Sequence, residues 1–120
     1  MEPMSMLTTA TVLFLLTALG GLLMAGIRFM GKRNPPSWLA MAHGLLAGSG
    51  LTLLLYAAAT ADVPGNAVIA AVLFLIAAGG GVILNLAYHL KDRPLPKSLT
   101  LVHAAIALVA FGFLLAATFG

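Results

Sequence analysis

Charge is confined to the margins of four long apolar stretches, at roughly 7–30, 37–59, 66–90 and 98–119, and nothing else restricts the chain so tightly. Arg28 falls in the last turn of the first stretch. Glu2, Lys32, Arg33, Asp62, Lys91, Asp92, Arg93 and Lys97 lie before or between stretches. Each stretch supplies the about 20 apolar residues that carry an α-helix across roughly 30 Å of hydrocarbon, at about 1.5 Å per residue. Pro3, Pro35, Pro36, Pro64, Pro94 and Pro96 all fall outside the stretches. Backbone polar groups in lipid must be paired within their own segment, so uninterrupted helices are the expected solution. With 62% hydrophobic and 8% charged residues, against about 25% charged in soluble domains, a water-soluble globule is excluded. The absence of cysteine also excludes disulfide staples, thiolate-ligated zinc or iron–sulfur sites and c-type haem attachment.

The charges orient the spans. All six basic residues sit at the first and third connections, and none at the termini or the Asp62-Val63-Pro64-Gly65 turn. The positive-inside rule therefore places loops 31–37 and 91–97 in the cytoplasm and both termini outward. Trp38 and Tyr88 then lie at the cytoplasmic interface and Tyr56 at the outer one, as an aromatic belt requires. The first span is no signal peptide: its basic residues follow the apolar run and no clear cleavage site is present. The net charge of +3 calls for anionic lipid facing the loops, not for nucleic acid.

Sliding the chain on itself by 60 positions aligns 10–60 with 70–120 at sixteen identities without a gap, where roughly five or six would arise by chance; such self-similarity defines the architecture. Val12-Leu13-Phe14-Leu15 answers Val72-Leu73-Phe74-Leu75, Gly20-Gly21 answers Gly80-Gly81, and Arg33 with Pro36 answers Arg93 with Pro96. Each unit, 1–60 and 61–120, holds two spans and so inserts the same way up. The expected fold is all-α: a four-transmembrane-helix bundle of two tandem, parallel-repeat helical hairpins with pseudo-twofold symmetry about the membrane normal, forming one integral membrane domain.

The repeat also aligns His43 with His103. Each lies about six residues inside its helix, or roughly 9 Å from the loop end, so the two imidazoles share one depth. Ionisable groups inside a membrane are costly and point to function by default. Paired histidines on helices two and four match the axial ligands of one haem b. Small residues follow each of them, Ala47 and Gly50 or Ala107 and Ala110, leaving space for a macrocycle. Arg33, Arg93 and Lys97, with Lys32, lie on the side suited to propionates. Asn85, at similar depth on helix three, is placed to accept an imidazole Nδ1–H. Gly81, Asn85 and His89 are spaced to share a helix face; His89 is a further ligand candidate or an interfacial anchor. A cofactor-free reading stands beside this one. A buried histidine is satisfied by one interhelical hydrogen bond, small residues also suit close packing, and helices about 8–10 Å apart leave no room for haem. The glycine pairs, near mid-membrane, imply close contact of helices one and three or room for a flat ligand.

The stretch H-L-K-x-R-P-L-P-K-x-L-x-L-x-H-A-x-x-A from His89, with the earlier W-L-A-x-x-H-G-L-L-A, resembles uncharacterised small bacterial four-helix membrane proteins with a duplicated two-helix unit. That resemblance implies the bacterial plasma (inner) membrane and brings no activity with it. Paired helix histidines near basic loops are loosely similar to b-type cytochrome membrane subunits of the cytochrome b561 kind. Those hold two haems on four histidines; this chain lacks an outer pair, so the likeness implies one. Small multidrug exporters share length and helix count but use a glutamate within the first helix, whereas Glu2 precedes the span.

The sequence thus leads to a haem b protein for electron transfer, an electron carrier or accessory subunit rather than a stand-alone enzyme. Its expected partners are the lipid bilayer and a larger membrane or redox complex, or quinone. The alternatives are a cofactor-free structural or assembly subunit, and a small-solute or metal carrier using His43, His103 and Asn85.

Overall fold

Proline punctuates every helix start. Pro3 opens α1 (Pro3–Gly31), Pro36 immediately precedes α2 (Ser37–Thr60), Pro64 precedes α3 (Gly65–Ile83) and Pro96 precedes α4 (Lys97–Phe119) in the computed structural model, which describes residues 1–120. Proline fixes φ near the helical value and lacks only an N–H that a helix start leaves unpaired. There are no strands. α3 continues through a π-helical turn, Leu84–Tyr88, and a 3-10 turn, His89–Lys91. The first and third helical segments end on left-handed residues, Lys32 (φ 54°) and Asp92 (φ 53°), sixty positions apart. A side chain there costs roughly 1–2 kcal/mol, so both turns are held by their surroundings.

All four helical segments are long and apolar enough to cross a membrane. The molecule measures 44 × 20 × 19 Å. Their most apolar windows are only 11–33% buried, and Leu19, Leu22, Leu23 and Ile76 stand more than half exposed. An aqueous fold would bury such side chains; a lipid-facing one has no reason to.

α1 packs against α2 and α3 against α4, and the hairpins join through α1–α4 and α2–α3. The connected core comprises Leu7, Ala10 and Phe14 of α1, Leu54 of α2, Ala67, Ala70, Ala71 and Phe74 of α3, and Ala110, Leu114 and Ala117 of α4. All lie in the half carrying the chain termini. At its centre the rings of Phe14 and Phe74 stack, with centroids 3.7 Å apart and planes within 6°. The buried hydroxyls of Thr11 and Thr118 meet at 2.9 Å and join α1 to α4. The half nearer the basic loops is packed far more loosely. Nothing in α1 after Thr17, and nothing in α4 before Ala110, is fully buried.

Four hydrogen bonds clasp the two basic loops. Asn34 donates from Nδ2 to the Arg93 carbonyl at 2.8 Å and accepts the Leu95 N–H at 3.0 Å. Arg28 Nε donates to the Leu95 carbonyl at 2.9 Å, and His89 Nε2 donates to the Pro35 carbonyl at 2.8 Å.

Candidate histidine site

His43 and His103 come together. Their ring centroids are 6.3 Å apart and their planes are inclined at 69°. Each ring reaches into the other helix of its own hairpin. His43 Nδ1 lies 2.9 Å from the Thr17 carbonyl oxygen, and His103 Nδ1 lies 2.8 Å from that of Ala77. Thr17 and Ala77 are themselves sixty residues apart. A carbonyl only accepts, so Nδ1 is the donor in both rings, and in the neutral imidazole this leaves the Nε2 lone pair free. Neither Nε2 has a protein partner, and no unpaired polar side-chain atom is sealed inside the molecule, so both are accessible.

The glycines explain how the rings fit. A Cβ on Gly21 would stand 2.9 Å from His43 Cε1, and one on Gly81 would stand 3.1 Å from His103 Cε1. These glycines admit an imidazole from the neighbouring helix of the same hairpin. Their nearest neighbours are these imidazoles, so they do not serve contact between α1 and α3. Adjacent Gly20 has open space where a Cβ would go.

Two further expectations are corrected. Of the small residues after each histidine, the two farther ones leave no space for a macrocycle: a Cβ on Gly50 would strike the Phe14 ring at 3.1 Å, and Ala110 is fully buried in the core that includes Phe74, whereas Ala47 and Ala107 are half-buried. On the loop side of the histidines few residues are buried. Nor do Gly81, Asn85 and His89 share a face. The π turn shifts the register by one residue, or about 100° of helix rotation, and His89 turns to the Pro35 carbonyl. His89 therefore anchors the loops and stands apart from the histidine pair. Asn85, half-buried within the π turn, is partner to neither imidazole, because both Nδ1 atoms donate to backbone carbonyls.

The basic candidates stay at the loop level. Arg93 folds back on its own helix, with Nη1 3.3 Å from the Ala87 carbonyl and its guanidinium 4.9 Å from the Tyr88 ring centre. Lys97 Nζ lies 5.7 Å from the Phe29 ring centre. Arg33 lines a polar pocket between the loops with Arg28, Lys32, Asn34, Asp92 and Pro94.

Two imidazoles sharing one metal ion through a nitrogen each hold their centroids roughly 6 Å apart, given metal–nitrogen bonds of about 2.0–2.1 Å. With both Nδ1 atoms donating and both Nε2 atoms free, His43 and His103 are the residues that could each offer one nitrogen to a shared metal centre. Metal-bound histidines characteristically give their other N–H to a carbonyl in this way. No third histidine, cysteine or carboxylate joins them. No family model, curated protein or solved structure matches this chain.

Proposed function

We propose that the chain is a four-span integral protein of the bacterial plasma membrane in which His43 and His103 hold one haem b for electron transfer. Its two hairpins, 1–60 and 61–120, are related by a pseudo-twofold axis along the membrane normal. Loops 31–37 and 91–97 face the cytoplasm, and a larger redox complex or quinone exchanges the electrons. The observation that carries this reading is the matched tethering of two neighbouring imidazoles, each with Nδ1 fixed to a carbonyl and Nε2 free. When bound, haem supplies an iron centre that cycles by one electron. The Thr17 and Ala77 carbonyls fix each tautomer and ring orientation. Gly21 and Gly81 let the rings lie against the helix backbone. Arg33, Arg93 and Lys97 would supply positive charge at the loop end for the haem propionates.

Spectroscopy tests this directly. Protein purified from haem-replete cells is expected to show a Soret band and a sharp α-band on dithionite reduction. His43→Ala and His103→Ala are each expected to abolish the bis-imidazole spectrum, while His89→Ala retains it. A wild-type protein without a Soret band, or a normal bis-imidazole spectrum in either of the first two variants, overturns the assignment.

A second reading has its own support: the imidazole-on-glycine contacts brace each hairpin without any cofactor. A cofactor-free structural or assembly subunit would be spectrally silent, and either histidine variant would still destabilise it.

A further inference from the structure

We propose that the clasped loops form an oxyanion site that takes a phosphate group, presented by an anionic phospholipid headgroup or free in solution. The site is a cavity of about 160 Å³ between the first and third connections, lined by Arg28, Lys32, Arg33, Asn34, Asp92 and Pro94. Three cations face one carboxylate there, a local excess of two positive charges. Gathering like charges in one pocket costs energy unless an anion joins them.

The pocket is built rather than incidental. Arg28 is half-buried, and its Nε is committed to the Leu95 carbonyl at 2.9 Å, which fixes the guanidinium and leaves its terminal nitrogens as donors. Asn34 holds the facing loop through its two bonds to Arg93 and Leu95. Lys32 is held in the left-handed conformation at the end of α1, and Arg33 packs against the backbone at Gly31. Fixed guanidinium donors suit phosphate oxygens. The cation set is not duplicated in the second half: Tyr88, Asp92 and Pro94 stand at the positions sixty residues from Arg28, Lys32 and Asn34. Met30, Trp38 and Leu90, all strongly exposed, surround the same end, as the rim of a site at a lipid interface would require.

This proposal rests on the membrane-spanning reading but not on haem. Full-length protein extracted in detergent would be titrated with phosphatidylglycerol and, separately, with inorganic phosphate, and retention measured by native mass spectrometry and equilibrium dialysis. One phosphatidylglycerol retained per chain identifies a lipid headgroup as the source. Stoichiometric inorganic phosphate without lipid retention identifies a soluble one. In either case Lys32→Gln and Arg33→Gln are each expected to weaken retention roughly tenfold, as loss of one charge-assisted contact would. Lys91→Gln, the same charge change outside the pocket, is expected to alter it less than about twofold. Retention of neither probe, or equal weakening by Lys91→Gln, overturns the proposal. Recovery of the chain in the membrane fraction reports the spanning reading separately.

Discussion

At the residue scale, the histidines depend on groups that carry no side-chain chemistry. Gly21→Ala and Gly81→Ala each place a Cβ against an imidazole carbon, at 2.9 and 3.1 Å, so the ring must leave its carbonyl or the helices must part. Either response is expected to cost about 1–3 kcal/mol, read as a lower unfolding midpoint in a denaturing-detergent titration. Gly20→Ala, with open space at its Cβ, is expected to be neutral or slightly stabilising. Equal losses at Gly20 and Gly21 would refute the cradle. The histidine pair was legible in the sequence because an imidazole is rare against an apolar background and the repeat copied it. Its partners were not, because the Thr17 and Ala77 carbonyls look like every other backbone carbonyl. The glycine cradles did leave a trace: each histidine lies 22 residues after its glycine, in both halves.

At the element scale, helix limits followed from proline and charge, and the observed segments begin and end within a few residues of the apolar stretches, most widely at Pro3 of α1. The π turn at Leu84–Tyr88 was illegible, since the four-residue spacing of Gly81, Asn85 and His89 reads as one continuous α-helical face. That register shift frees His89 for Pro35 and makes it part of the loop clasp. Asn34 is the centre of that clasp and had no sequence signature beyond its place among basic residues. Asn34→Ala removes both of its bonds and is expected to destabilise the loop end by roughly 1–3 kcal/mol. Hydrogen exchange at the Leu95 amide, which Asn34 Oδ1 accepts, should quicken while amides of the Phe14–Phe74 half stay protected. Unchanged exchange at Leu95 would show that the clasp contributes nothing.

At the scale of the whole molecule, apolar side chains cover the outside and the buried core is small. The proposed orientation places Asp62 outside and Lys91 in the cytoplasm. Because the chain has no native cysteine, single replacements report without background. Asp62→Cys is expected to react with a membrane-impermeant maleimide applied to intact spheroplasts, and Lys91→Cys only after lysis. The reverse pattern would invert the topology. Overall helix number was legible because each helix is one long apolar segment bounded by proline and charge. The uneven packing was not, because alanine, glycine and phenylalanine occur in both halves and only contacts reveal where they interlock.

The dense half, the histidines and the clasp together act as tongs. The Phe14–Phe74 stack is the fulcrum; on α1, Gly21 lies roughly 10 Å and the loop end roughly 25 Å away along the helix. Leverage therefore runs in favour of the histidines: a sideways displacement at the loops reaches them at less than about half its size. Any sideways strain on the clasped loops would thus reach the gap between the imidazoles much reduced.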